Sequence, residues 1–278
     1  MRDSARRGLA VGFFDGVHLG HQAILHGASA VLTFRNHPLS LLAPHKAPRL
    51  LMSVEERMAA IRACGVEEVL ALDFTQDLAG MQPADFAANY LASPRWGGVV
   101  RCGGNWRFGR GGAGDAALLR SMGLSVEVVP YAEYKGERVS STRIRAAIES
   151  GEMEDASSML GRDWSVRGVV SVGKGLGAGL GYPTVNVRLD GLSLNLRLGV
   201  YDVHVSGCRA LANYGVAPTF GDKAWKSPIL EMHFIGEVPH SQPGDSLTVG
   251  FGRFIRPERK FASIDELKRQ IALDLAGF

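Results

Sequence analysis

The fold of this chain is decided near its amino terminus, by the stretch Gly12-Phe13-Phe14-Asp15-Gly16-Val17-His18-Leu19-Gly20-His21. A short apolar run over residues 9–11 precedes it and predicts a strand. Gly16 and Gly20 allow a tight turn, and a helix can begin between the two histidines. Because a helix amino terminus offers unpaired N–H groups and partial positive charge, this strand–turn–helix pattern indicates a nucleotide phosphate site.

Length and composition favour a globular chain of two domains. The 278 residues exceed what one hydrophobic core usually serves. A net charge of +3 gives no support for a nucleic-acid or membrane-surface partner. The three cysteines are widely spaced, which argues against a zinc site or a disulfide framework. The first apolar run breaks at Asp15, too early for a signal sequence or a membrane span, so we expect a cytoplasmic protein.

Residues 1–160 alternate between strand and helix patterns. Ser53 and Glu56 have the spacing of a capping box that opens a helix, and residues 83–91 predict another helix. The crossover after Gln22 is short, so we expect a first helix of about two turns. Short apolar runs predict five strands, at residues 9–11, 30–34, 68–72, 99–101 and 125–129. This alternation predicts a doubly wound α/β sheet with ligands at the carboxyl ends of its strands, where His18 and His21 fall.

The stretch from Gly12 to Gln22 resembles the GxFDGVHxGHQ signature of the bacterial bifunctional riboflavin kinase/FMN adenylyltransferases, also called FAD synthetases. Three more stretches resemble elements of that family: residues 33–38 its TFxPHP, residues 103–109 its GxDFRFG, and residues 139–145 its SSTxIR. The chain departs from the family where Arg35 and Asn36 replace an acidic–proline pair. It also departs at Asn105, which stands where Asp is usual, and at Trp106, which replaces Phe.

The resemblance implies roles for residues of this first domain. His18, His21 and Arg143 would be catalytic, neutralising charge at the α-phosphate of ATP. From the residues alone, His37 is as well explained by a turn before Pro38 as by a phosphate contact. The further positions implied to bind nucleotide or flavin are Gly12, Phe13, Asp15, Gly20, His37, Asn105, Arg107, Phe108, Ser141, Thr142 and Arg145.

Residues 161–278 predict a second, β-rich domain. Short strands separated by Gly, Pro, Asn and Asp turns favour an antiparallel barrel. Candidate strands are residues 164–171, 200–205, 210–214, 230–235 and 246–251. One amphipathic helix closes the chain, with Ser263 and Glu266 as a capping box and Leu267, Ile271 and Leu275 as its apolar stripe.

A glycine-rich stretch, residues 173–186, resembles the riboflavin kinase signature GxGxGRxLGFPTAN. Thr184 and Asn186 are two apart on a strand and share a face, and their oxygens suit Mg²⁺ beside phosphates. The resemblance implies that they bind Mg-ATP. The alternating glycines, Gly179 among them, let backbone N–H groups approach an anion, and Lys174 can supply a positive charge there. Leu176 and Ala178 stand where arginines are common, which predicts a weakened kinase.

Further stretches extend the resemblance through the second half. Residues 198–201 match a GVY strand, and residues 212–220 match ANIGxxPTF. Glu231 falls where the family has its VExH element, whose glutamate is the catalytic base. The resemblance therefore implies that Glu231 is the base of the kinase reaction. Residues 255–261 resemble IRxExKF, which helps close the flavin pocket, and this assigns Arg256 to ligand binding.

The sequence thus predicts an α/β doubly wound nucleotidyltransferase domain, an antiparallel β-barrel riboflavin kinase domain and a C-terminal helix. The implied reactions are phosphorylation of riboflavin to FMN and adenylylation of FMN to FAD, with ATP and Mg²⁺, in a monomer or weak oligomer. Three alternatives stay open at this point. Only one activity is retained, the chain is a non-catalytic flavin- or nucleotide-binding regulator, or it transfers a nucleotide to another acceptor.

Overall fold

A computed structural model of the chain describes residues 8–172, 182–189, 193–216 and 228–277. The chain divides into two compact units, Met1–Ser141 and Thr142–Phe278. No helix in these described ranges has both the length and the apolar character needed to cross a membrane.

A five-stranded parallel sheet forms the centre of the first unit, with the order β3-β2-β1-β4-β5. All five predicted strands are confirmed, with β4 two residues longer than expected. The bounds are β1 Leu9–Val11, β2 Ala30–Phe34, β3 Glu68–Leu72, β4 Val99–Gly103 and β5 Ser125–Val129. The strand order reverses between β1 and β4, so the loop after β1 lies at the switch point where such sheets bind ligands.

Helices cover both faces of this sheet. Leu9 and Val11 point into one apolar core, and Ala10 points into the other, because successive strand residues alternate between faces. The helix bounds are α1 Leu19–Leu25, α2 Pro38–Leu42, α3 Val54–Ala63, α4 Gln76–Gly80, α5 Pro83–Phe86 and α6 Ala116–Ser121. Helix α1 has the two turns expected. The predicted helix over residues 83–91 begins as α5 and continues as a π-helical turn, Ala87–Leu91.

The capping box that opens α3 is confirmed. The N–H of Glu56 donates to Ser53 Oγ at 3.2 Å, and the N–H of Ser53 donates to Glu56 Oε2 at 2.7 Å. Short 3₁₀ turns lie at Pro44–Lys46, Pro94–Trp96 and Arg110–Gly112, and a small hairpin pairs β6 Glu133–Tyr134 with β7 Glu137–Arg138.

The second unit contains a closed antiparallel barrel with the strand order β10-β11-β12-β9-β8-β13. Helices α7 Ser141–Ser150 and α8 Met153–Leu160 lead into it. The strands are β8 Trp164–Ser171, β9 Val185–Arg188, β10 Gly199–Val205, β11 Cys208–Gly215, β12 Ile229–Phe234 and β13 Ser246–Pro257. The predicted barrel is confirmed. Strand β13 runs six residues beyond the expected end at Phe251, past register shifts against β10 that let the pairing continue.

Helix α9, Ile264–Ala276, closes the chain and corrects two details of the prediction. Ser263 caps it by accepting from the N–H of Glu266 at 3.2 Å, but Glu266 accepts from the N–H of Ala262 rather than that of Ser263. The predicted capping box is therefore wrong in its second bond. The buried residue of this helix is Asp274, whereas the apolar stripe is only half-buried.

Candidate active sites

The turn after β1 is a strained loop that holds the two histidines. Phe14 and Val17 have φ of 59° and 42°, in the left-handed region that side chains rarely adopt, and both are buried. The N–H of Val17 donates to the Phe14 carbonyl at 3.1 Å, and Gln22 Nε2 donates to the Val17 carbonyl at 2.9 Å. The surrounding hydrogen bonds and packing hold this costly backbone in one shape.

His18 and His21 lie against each other at the start of α1. His18 is the N-cap residue, and its Nδ1 accepts from the N–H of His21 at 3.3 Å. The two imidazole rings stack with centroids 3.6 Å apart and 15° between their planes. Because His18 Nδ1 accepts a hydrogen bond, the neutral ring carries its proton on Nε2.

His21 is held in its neutral form. Burial lowers the pKa of His21 well below its usual value, and His18 and Arg138 lower it further by charge repulsion. Its Nδ1 is buried and has no hydrogen-bond partner in the part of the chain that the structure describes. A neutral imidazole offers one hydrogen-bond donor and one acceptor, so the His21 ring carries hydrogen-bonding groups and no positive charge.

Arg138 belongs to this cluster and was not predicted. Its Nη2 donates to Asn105 Oδ1 at 3.1 Å, and its guanidinium lies over the Tyr131 ring at 3.7 Å. The predicted residue Asn105 is thus joined to a cation close enough to influence His21. The sequence signal that was available is its place directly before the Val139–Arg145 stretch.

Asp15 and Ser141, both predicted to bind ligand, hold the loop itself. The Asp15 side chain is 3% exposed, and its carboxylate accepts from the N–H of Leu51 at 3.0 and 3.2 Å. The Asp15 carbonyl accepts from Ser141 Oγ at 2.9 Å. These bonds join the loop to the segment before α3 and to the start of α7.

His37 lies where β2 ends and α2 begins. Its Nδ1 accepts from the N–H of Leu39 at 3.1 Å, so one ring nitrogen stabilises the turn around Pro38. The ring also meets Phe13 edge-on, with centroids 4.7 Å apart and 79° between planes. The guanidinium of Arg57 also lies over the Phe13 ring, 4.0 Å from its centre.

An aromatic cavity of about 260 Å³ opens at this edge of the sheet. Trp106 and Phe108 stack in its wall, with ring centroids 4.7 Å apart. Four predicted ligand-binding residues line it: Gly12, Phe13, Arg107 and Phe108. The remaining wall is mainly apolar, from Leu32, Phe34, Pro38, Leu42, Phe74, Leu78 and Phe86. Such a cavity suits a flat, largely apolar ring system.

Helix α7 carries the remaining predicted residues of this domain. Thr142 and Arg143 lie in its first turn, and Arg145 Nη1 donates to Thr142 Oγ1 at 3.4 Å. Gly20 lies in the first turn of α1, where a Cβ would meet the His18 ring at 3.3 Å. A larger residue at that position would push on the stacked histidines.

A polar row crosses three neighbouring strands of the barrel. Glu231 of β12 pairs with Asn186 of β9 on one side and with Asn213 of β11 on the other. Directly paired residues project from the same face of a sheet, so the three side chains lie side by side. Thr184 precedes β9 by one residue and, by alternation, shares the face of Asn186.

Burial raises the pKa of the Glu231 carboxyl, and the nearby Glu258 carboxyl raises it further. A carboxylate with a raised pKa accepts a proton more readily, as a general base requires. Glu258 also lies against Gly215, where any Cβ would collide with its carboxyl group.

Arg256 is engaged within the fold. It makes a bidentate ion pair with the buried Asp274 of α9, in which Nε donates to Oδ1 at 3.0 Å and Nη2 donates to Oδ2 at 2.7 Å. Lys174 and Gly179, together with the departures at Leu176 and Ala178, lie outside the described residues. Among the side chains that the structure does describe, no three of His, Cys, Asp or Glu gather as a metal site.

The architecture defines a chain with a nucleotidyltransferase-like α/β domain and a flavokinase-like barrel. The family described as FAD synthetase matches residues 2–143, and the family described as riboflavin kinase matches residues 160–277. The chain belongs to the family of bifunctional riboflavin kinase/FMN adenylyltransferases.

Relatives bearing that family's name align over nearly the whole chain. The one from Escherichia coli K12 is 34% identical over 96% of this chain and 90% of its own length. Those from Listeria monocytogenes and Bacillus subtilis are 33% and 29% identical, over 96% and 98% of this chain and 89% and 91% of theirs. A crystal structure described as a macrolide-efflux protein from Streptococcus pneumoniae superposes with a TM-score of 0.84 at 29% identity, covering 99% of this chain and 94% of that one.

Proposed function

We propose that this chain makes FAD in two steps, phosphorylating riboflavin to FMN and then adenylylating FMN. The observation that carries the proposal is the presence of two separate groups of reactive side chains on one chain. Stacked histidines lie at the carboxyl edge of the sheet, and the Asn186–Glu231–Asn213 row lies on the barrel. The matches to both families over the corresponding halves support the same assignment.

In the kinase step, Glu231 takes the proton of the primary hydroxyl of riboflavin. The hydroxyl oxygen attacks the γ-phosphorus of ATP, the bond to the bridging oxygen breaks, and ADP leaves. The raised pKa of the Glu231 carboxyl supports this role, because a weaker acid is a stronger base.

The donor set beside Glu231 fits a magnesium ion. The hydroxyl of Thr184 and the amide of Asn186 are hard oxygen ligands on one face, and Asn186 is 8% exposed. We propose that these two residues hold Mg²⁺, which neutralises charge on the phosphates when it is bound. Lys174 and Gly179 are proposed to bind ATP on the basis of the motif alone.

In the adenylyl-transfer step, a phosphate oxygen of FMN attacks the α-phosphorus of ATP and pyrophosphate leaves. The attacking group is already an anion, so the enzyme has to position it and to neutralise charge. We assign the charge to Arg138 and Arg143, and the hydrogen bonds to His18 and His21. The aromatic cavity takes the flavin ring, whose dimethylbenzene edge suits an apolar wall.

Within the same proposal, residues 1–160 carry the adenylyltransferase and residues 161–278 carry the kinase. The riboflavin kinase match begins at residue 160, which supports this boundary. The compact unit that contains the barrel begins earlier, at Thr142, because α8 packs against β8 and β13. We further propose a cytoplasmic monomer or weak oligomer that acts on small molecules and binds no nucleic acid.

Chromatography of the flavins formed with ATP and Mg²⁺ tests the proposal. Parallel incubations start from riboflavin and from FMN, and both should yield FAD. His21→Ala should stop FAD formation and let FMN accumulate from riboflavin. The matched control is His26→Ala, an exposed histidine at the end of the same helix, which should change neither step. FAD from FMN alone would show that the kinase is inactive, and no conversion of either flavin would refute the proposed function.

A further inference from the structure

Arg57 is a charged side chain in the core of the first unit. It lies in α3 and is 1% exposed, although Glu55 and Arg62 of the same helix are at the surface. Burial lowers the pKa of Arg57, and the charge of Asp15 opposes this shift. An arginine keeps its charge in proteins, so the core holds a cation.

The guanidinium joins two parts of the candidate site. Its Nη2 donates to the carbonyls of Phe34 at 2.6 Å and Arg35 at 2.9 Å, where β2 ends. Its flat face lies 4.0 Å from the centre of the Phe13 ring. Phe13 and Phe34 both line the aromatic cavity, so one side chain holds two adjacent parts of its wall.

Burying the Arg57 guanidinium costs free energy, and a residue that only fills the core would not need to incur this cost. Nε and Nη1 are buried and donate to no acceptor among the described residues, which carries a desolvation penalty. A well-packed apolar side chain in such a place is often as stable as a buried charge or more so. The cost is explained if the planar, forked guanidinium serves the cavity, since only this group can stack on a ring while donating to two carbonyls.

We infer that Arg57 is a positioning residue of the adenylyltransferase, which fixes the Phe13 ring as the wall against which the flavin of FMN binds. The inference rests on the proposed function. Arg57 acts through Phe13 and contacts no reacting atom. It therefore governs how tightly FMN is held, and the rate of the chemical step depends on it much less.

The test is steady-state adenylylation of FMN by Arg57→Met and Arg57→Lys. Both variants should raise the KM for FMN about tenfold or more, with kcat within about threefold and the KM for ATP unchanged. Arg57→Lys should raise the KM for FMN as much as Arg57→Met does, because lysine lacks the planar, forked guanidinium group. Recovery by lysine would mean that charge alone matters, and an unchanged KM would mean that Arg57 only packs; either result overturns the inference.

A double-mutant cycle makes the coupling to Phe13 measurable. Phe13→Leu should raise the same KM, and the double variant with Arg57→Met should be no worse than the weaker-binding single variant. Multiplying effects would show that the two residues act independently and would overturn the inference. The matched control is Arg62→Met, an exposed arginine on the same helix, which should leave both KM values unchanged.

The measurements separate a folding defect and a failed function from a failed inference. An unchanged KM for ATP in adenylyl transfer reports that the first unit of each variant is folded, because riboflavin phosphorylation reports only on the barrel that carries it. If Arg57→Met does not fold, Phe13→Leu and Arg57→Lys still decide the question. Wild-type protein that forms no FAD refutes the proposed function, whereas wild-type activity with no change in KM on substitution refutes this inference alone.

Discussion

The imidazole rings of His18 and His21 stack at a centroid distance of 3.6 Å, and the backbone N–H of one residue is bonded to the ring of the other. Two rings this close cannot both carry a positive charge without strong repulsion. His21, whose pKa is lowered by burial and by the charge of His18, therefore stays neutral at neutral pH.

Stability should depend on the protonation of His21. The pKa of His21 lies near 6.5 in the unfolded chain and well below that value in the fold. Below about pH 6.5 the unfolded chain binds the additional proton, so the free energy of unfolding falls as the pH is lowered from that point. Urea unfolding of wild type at about pH 7.5 and about pH 5.5 should show this loss, and His21→Asn should lose less. The control His26→Asn should behave as wild type does, and an equal loss in all three proteins would contradict the prediction.

Glu231→Gln should remove the base of the kinase step while keeping the shape of its side chain. We expect FMN formation to fall by about 10²- to 10⁴-fold, the usual contribution of a general base. FAD formation from supplied FMN should be unchanged, since the other unit carries it. Initial rates from both flavins measure the separation. Glu237→Gln, in the exposed segment after β12, is the control, and loss of both activities in Glu231→Gln would argue against two independent sites.

Asn186→Ala should weaken magnesium binding at the kinase site. Removing one of two proposed oxygen ligands should raise the Mg²⁺ concentration for half-maximal FMN formation by about tenfold. A titration of Mg²⁺ at fixed ATP measures the change, with Asn195→Ala at an exposed position before β10 as the control. If the two variants titrate alike, Asn186 does not hold the metal.

The pair of Arg256 and Asp274 should stabilise the attachment of α9. Asp274 is nearly buried, and Asp274→Asn leaves the Arg256 guanidinium without a counter-charge. We expect a loss of about 3 kcal/mol in the free energy of unfolding. Asp265→Asn, an exposed change in the first turn of the same helix, should cost under about 1 kcal/mol. Chemical denaturation measures the free energy of unfolding of both variants. Equal losses would mean that the buried ion pair stabilises the protein no more than an exposed carboxylate does.

Local patterns made the frame of both units predictable from sequence. Strands buried on both faces leave short apolar runs, so all five strands of the parallel sheet appear in the sequence. The capping box at Ser53 and the two turns of α1 are set by residues a few positions apart. These local predictions were confirmed, whereas the second bond of the capping box at Ser263 was wrong, because Glu266 accepts from the N–H of Ala262 instead.

Hydrogen bonds between residues far apart in the sequence could not be predicted from local patterns. Arg138 reaches Asn105 across 33 positions, and Arg57 reaches the Phe34 carbonyl across 23. Arg138 is itself exposed, and only its place directly before the Val139–Arg145 stretch pointed to it. Nothing near Arg57 in the sequence distinguishes it from Arg62, the exposed arginine of the same helix. Asp274 similarly interrupts the face of α9 that an apolar stripe would predict, because its partner Arg256 comes from the extended end of β13.

The left-handed backbone at Val17 determines how substitution of this residue would affect stability and activity. The left-handed conformation of a valine at φ 42° costs of order 1–3 kcal/mol of conformational free energy relative to a relaxed loop. Glycine there would release that strain and would also loosen the turn that sets one imidazole against the other. A substitution at Val17 that stabilises the fold is therefore expected to disturb the histidine pair, so stability and activity are expected to trade off at this residue.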